Sequence, residues 1–166
     1  MNAGKSKIPL TAKEPISIVA RKILQYASTI EAAIAIAKES EVFVSEALMI
    51  GSAHDNRAVL IEMSPKNFGV YEVSNSRLVC SNHFQSEAYK KDKRNANAIE
   101  NSHTQYRLDR MNDLIDEVPK VNPKMMVDIL RNKEGLKDIK LGYGNEKAIN
   151  QLVAHHGIVF KPHLGQ

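Results

Sequence analysis

ALMIGSAHDNRAVLIEM, residues 47–63, decides the fold. Two runs, Ala47–Ile50 and Ala58–Ile61, are apolar at every position and are separated by polar residues that include His54-Asp-Asn56. Asp and Asn favour turns because their side chains hydrogen-bond nearby backbone and tolerate left-handed conformations, so the stretch predicts two strands joined by a turn. Phe68-Gly-Val-Tyr-Glu-Val73 and Arg77-Leu-Val-Cys-Ser81 predict two further strands, with Ser64-Pro-Lys-Asn67 and Ser74-Asn-Ser76 as turns. Short polar connections imply antiparallel neighbours, hence a meander. Runs apolar at every position predict burial on both faces of the sheet. Helices can cover one face, and the other needs a second layer.

Working outward, Pro15 suits the first turn of a helix, where its missing N–H costs nothing. Ile16, Val19, Ile23, Leu24 and Ala27 then share one face at helical spacing. Ser28-Thr-Ile-Glu31 has the S-x-x-E form of a capping box and predicts a second helix over about Thr29 to Lys38. Beyond Phe84 the pattern turns helical. Tyr106, Leu108, Met111, Leu114 and Ile115 mark a helix ending before Pro119, and Asn122-Pro123 opens another through Met125, Met126, Ile129 and Leu130. Gly142-Tyr-Gly144 predicts a loop, and Leu152–His156 and Gly157–Phe160 a final pair of short strands. The expected fold class is α+β, an antiparallel sheet meander with covering helices. No strand is expected before the first helix, and the chain stops directly after a strand. Residues 1–166 are therefore expected to be one incomplete domain.

Composition narrows the classes. The chain has 166 residues, 43% hydrophobic and 25% charged, ordinary values for a soluble domain with a real core. No run approaches the roughly 20 apolar residues of a membrane span, and the polar, Pro-interrupted start has no signal-peptide core. A single cysteine excludes an internal disulfide and a thiolate zinc site. The net charge of +4 is modest. Its densest basic run, Tyr89–Arg94, includes Asp92 and predicts a solvated helix end or loop rather than a nucleic-acid surface.

Candidate chemistry gathers in RLVCSNHFQS, residues 77–86. Cys80 and His83 suggest a nucleophile and its base, but on a strand they project to opposite faces and do not meet. Leu78 shares the face of Cys80, which makes the thiol a core residue. Asn82 admits two readings. At the end of a strand its carboxamide can donate to an acyl oxygen on which charge develops, or it can serve as a turn or cap for the segment from Phe84. His54, His83, His103 and His163 are isolated, and His155 and His156 project to opposite faces, so no metal site is expected. The glycines form no phosphate loop, and no cofactor is expected. Arg107 can bind a carboxylate or stand as a surface helix arginine.

The helix-pair run Arg21–Ile36, then Ile61-Glu-Met-Ser-Pro65, then Cys80-Ser-Asn-His-Phe84 resembles the acyl-coenzyme A:6-aminopenicillanate acyltransferase family. Choloylglycine hydrolases and penicillin V acylases are its wider relatives. The resemblance covers most of residues 10–160, with Asn82-His-Phe84 the sharpest piece, and Ser102–Arg107 and Gly144-Asn145 following in order. It implies an N-terminal-nucleophile αββα sandwich whose second sheet supplies the missing cover. It also implies linear-amide hydrolysis or acyl transfer through a cysteine thioester, with the free α-amino group as base for its own thiol. In that resemblance Asn82 corresponds to the oxyanion-stabilising asparagine and Arg107 to an active-site arginine.

The sequence departs from the pattern in having no candidate N-terminal cysteine, since Met1-Asn-Ala-Gly4 is unlike the nucleophile strand. It is therefore expected to be an internal fragment of such an enzyme. The alternative is a catalytically inactive module of the same fold that binds a small ligand or a partner. The implied partners are a small acyl amide or acyl donor, with no nucleic acid and no membrane span, and a free sheet edge favours homo-oligomers.

Overall fold

A computed structural model describes residues 2–4 (backbone), 13–73, 77–153 and 157–161. The chain divides into two compact units, Met1–Glu100 and Asn101–Gln166.

The first unit is built on the meander. β2 (Ser45–Ser52), β3 (Arg57–Ser64) and β4 (Asn67–Tyr71) pair antiparallel in sequence order, and β1 (Asn2–Gly4) adds to the edge of β2. Register runs Glu46↔Met63 to Ser52↔Arg57 between β2 and β3, and Leu60↔Tyr71 to Ser64↔Asn67 between β3 and β4. Both turns follow their local chemistry. Asn56 takes a left-handed φ of 48°, and Ser64 Oγ accepts the Asn67 N–H at 3.1 Å.

α1 (Ile16–Tyr26) starts after Pro15, and α2 (Ile30–Glu39) after an extended Thr29. The cap of α2 is Thr29, whose hydroxyl accepts from the Ala32 N–H, rather than the expected Ser28. A second acceptor comes from the β2–β3 turn, where Asp55 Oδ2 takes the Ile30 N–H at 2.6 Å. That carboxylate meets the positive end of the helix and ties it to the hairpin. The His54 hydrogen bond, with the Ile30 N–H behind it, holds the Asp55 carboxyl below the usual range.

Alternation on β3 then divides the packing. Val59, Ile61 and Met63 join Val19 and Ile23 of α1 and Ile30, Ala33 and Ala37 of α2 in one apolar cluster. Each fully buried Val, Ile or Met side chain there contributes about 1.5–3 kcal/mol. Leu60 turns the other way and packs with Ala47, Phe84 and Tyr89, flanked by Leu78 and Cys80. Burial on both faces is thus met from Val59 to Met63, but Ala58 is exposed, and Met49 is 47% exposed because the cover on the second face stops short of it.

Three expectations are corrected. Arg77–Ser81 is no fourth strand: it leaves the ladder and lies over the second face, where Leu78 and Cys80 find apolar partners. A strand does precede the first helix, at Asn2–Gly4, where an open edge of β2 outweighs the weak strand preference of Asn, Ala and Gly. Gly157–Phe160 carries no strand pairing, and Leu152–Val153 is a turn. The expected turn at 74–76 and the histidines at 155, 156 and 163 lie outside the described residues.

The second unit contains α4 (Thr104–Asp116) and α5 (Pro123–Leu130), while α3 (Lys93–Glu100) closes the first. Asn122 caps α5 through the Met125 N–H at 2.9 Å, with Pro123 opening the helix. Arg110 of α4 is buried and reaches Asp138 Oδ1 at 2.6 Å. Among the described residues, no helix is long and apolar enough to cross a membrane.

Candidate active site

Glu62 interrupts the apolar run of β3 and is fully buried. Its carboxylate accepts two consecutive backbone N–H groups, Oε1 from Gln85 at 2.6 Å and Oε2 from Ser86 at 2.9 Å. A buried carboxylate without such donors is strongly unfavourable, so the pairing is what lets Glu62 stand in a core strand. The register explains how the 85–86 backbone comes so near. Ala47 and Gly69 are the cross-strand neighbours of Glu62, and both are small. A Cβ on Gly69 would run into Ser86 Oγ, so any larger residue there requires the Ser86 side chain to shift.

The same segment is held from its other side. Asn95 of α3 accepts the Phe84 N–H at 2.8 Å and donates to the Phe84 carbonyl at 2.9 Å. Gln85 Nε2 donates to the Val79 carbonyl at 2.8 Å, which closes residues 79–85 into a loop. Downstream, the Phe84 and Tyr89 rings pack at 4.2 Å, and the Tyr89 hydroxyl donates to the Asn67 carbonyl at 2.6 Å. Burial pushes the Tyr89 phenol up to about 12.

Asn82 is the exposed point of that loop, between buried Ser81 and His83. The helix that follows takes its cap from Asp92, whose Oδ1 accepts the Asn95 N–H at 2.8 Å. The basic run thus marks a helix start, with Lys90, Lys91, Lys93 and Arg94 exposed and Tyr89 buried. Cys80 packs on the second-face cluster, and burial, with the negative charge of Glu62 behind it, pushes its thiol up. A thiol held protonated is a poor nucleophile.

Arg107 belongs to the second unit, in the first turns of α4. Its Nη1 donates to the Glu146 carbonyl at 2.7 Å, and partial burial lowers its pKa. Asn145 serves its own loop, donating to the Leu141 carbonyl at 3.0 Å and accepting the Lys147 N–H. The sequence reading missed Glu62, Gln85 and Asn95 as partners of the Asn82 loop. A signal existed for Glu62, since a lone acid inside an apolar core strand needs buried donors.

A model of the acyl-coenzyme A:6-aminopenicillanic acid acyl-transferase family matches residues 1–158. The chain belongs to this family. Membership points to an acyltransferase- or hydrolase-like function on small-molecule substrates. No curated protein and no solved structure matches the chain.

Proposed function

We propose that the chain forms the oxyanion side of a linear-amide C–N hydrolase or acyltransferase that works through a cysteine thioester. The observation that carries this reading is Asn82, exposed at the tip of a loop whose flanking backbone is fixed by Glu62, Asn95 and Gln85. A donor held in place before the reaction stabilises a developing oxyanion without reorganising during it. In the proposed sequence a thiolate adds to the acyl carbon and the Asn82 carboxamide N–H meets the oxyanion. The C–N bond then breaks, and the amine leaves with the proton taken from the thiol. Water or a second amine next adds to the thioester carbon and releases the thiol. The packing of Cys80 on the apolar second-face cluster, where burial pushes its thiol pKa up, argues for a nucleophile supplied from outside residues 1–166. In the resemblance Arg107 corresponds to an active-site arginine, and within its own unit its Nη1 donates to the Glu146 carbonyl. The exposed Met49 on the second face supports a further layer there, the second sheet of an N-terminal-nucleophile sandwich.

The state of Cys80 also favours a second reading, in which the chain is an inactive module that binds an acylated ligand. Incubation of a full-length version that carries the nucleophile with acyl-coenzyme A and N-acyl amides, followed by intact mass and product analysis, separates the two. Turnover should fall about 10²–10³-fold in Asn82→Ala and stay nearly unchanged in Cys80→Ala. Activity lost in a folded Cys80→Ala protein would overturn the assignment of the nucleophile. Saturable binding of the acyl compound with neither adduct nor product supports the module.

A further inference from the structure

We propose that Glu62 is a positioning residue for Asn82, acting through the Gln85 backbone and the loop that Gln85 closes. This rests on the reading of Asn82 as the oxyanion donor. An apolar side chain at position 62 would cover the sheet face as well as a carboxylate does, at far less desolvation cost. What the carboxylate adds is direction. Its two oxygens engage the N–H groups of Gln85 and Ser86 separately, which sets the orientation of both peptide planes. Asn95 sets the plane on either side of Phe84, so three consecutive residues have their backbone fixed by side chains from β3 and α3. From that fixed backbone the Gln85 side chain returns to Val79, and Asn82 lies within the loop so closed. β3 is paired on both sides and buried from Val59 to Met63, which makes it a firm reference point. Ala47 and Gly69 beside Glu62 leave the room that the approach needs.

The test combines amide exchange on this chain with turnover of an N-acyl amide by the full-length version that carries the nucleophile. Gln85 and Ser86 amides should exchange slowly in the native protein and at least about tenfold faster in Glu62→Gln, with β2 and β3 amides unchanged. The glutamine keeps the shape but turns one acceptor into a donor. Turnover should fall about 10–10²-fold in kcat with KM retained, the effect of displacing a catalytic group by a fraction of an ångström to an ångström. Because Glu62 acts through Asn82, the Glu62→Gln loss should vanish in an Asn82→Ala background. A full, additive loss there overturns the positioning role, as does rapid Gln85 and Ser86 exchange in the native chain. Should Glu62→Gln fail to fold, Gln85→Ala opens the same loop without touching the sheet. It should give the same non-additive loss of kcat, and unaltered kcat in it overturns the proposal. Unchanged turnover in Asn82→Ala alone sinks the oxyanion reading, whereas a slowed Asn82→Ala with additive Glu62→Gln sinks only the role of Glu62.

Discussion

The two faces of β3 are built on different physics. Toward α1 and α2, Val59, Ile61 and Met63 meet aliphatic side chains, and the stabilisation is area removed from water. Toward residues 78–89, Leu60 meets Phe84 and Tyr89, but its neighbour Glu62 holds backbone N–H groups. The first face needs only apolar volume; the second needs donors at fixed distances. Adjacent residues of one strand should therefore answer the same substitution in opposite ways.

Glu62→Leu and Ile61→Leu test this most sharply. The first leaves two buried N–H groups without an acceptor and should cost roughly 3–6 kcal/mol, at about 1.5–3 per charged hydrogen bond. The second roughly conserves volume and should cost less than about 1.5 kcal/mol. Urea unfolding followed by circular dichroism measures both, and equal losses would erase the distinction between the faces.

Acid and alkali should likewise act on opposite faces. Asp55, on the helix side, is held below its usual pKa, chiefly by the His54 hydrogen bond. Its stabilisation is present above the unfolded carboxyl pKa and is lost as pH falls through the lower folded value. Tyr89 is raised to about 12 by burial, so the unfolded phenol ionises first. The corresponding stabilisation is complete below the unfolded pKa and disappears as pH rises through about 12. Asp55→Asn should flatten the acid limb and Tyr89→Phe the alkaline one. A Tyr89→Phe protein with an unchanged alkaline limb would contradict the assignment.

A smaller effect is expected at Gly69, where alanine would meet Ser86 Oγ and should cost about 1–3 kcal/mol. The expected shift in urea midpoint should shrink in a Ser86→Gly background, and its persistence there would locate the strain elsewhere. Smallest is the start of α2. Thr29→Ala should lose about 1 kcal/mol while Ser28→Ala loses almost none, because only the Thr29 hydroxyl is bonded to the helix. Equal losses would restore the capping box.

Much of each unit was legible because its signals are local. Helical spacing predicts α1, Asn122-Pro123 opens α5, and Ser64-Pro-Lys-Asn67 turns as its residue types require. Asn82 stood out as a carboxamide where the chain leaves a predicted strand. Its supports did not, because Glu62 and Asn95 reach it from distant positions in the chain and through backbone groups that carry no residue-specific mark.

The sequence by itself determined α1, α2, α4 and α5, the turns that join β2, β3 and β4, the apolar face of β3 and the family, since periodicity, turn chemistry and motif order need no distant partner. The destination of Arg77–Ser81 was decided only in three dimensions. Its composition suits a strand, but strand pairing requires an edge in register, while the uncovered face around Leu60 offers burial. The same holds for Asn2–Gly4, weak in strand preference yet paired because β2 presents open N–H and C=O groups. Side-chain type records what a residue can bury or donate; which partner receives it depends on where the rest of the chain has come to lie.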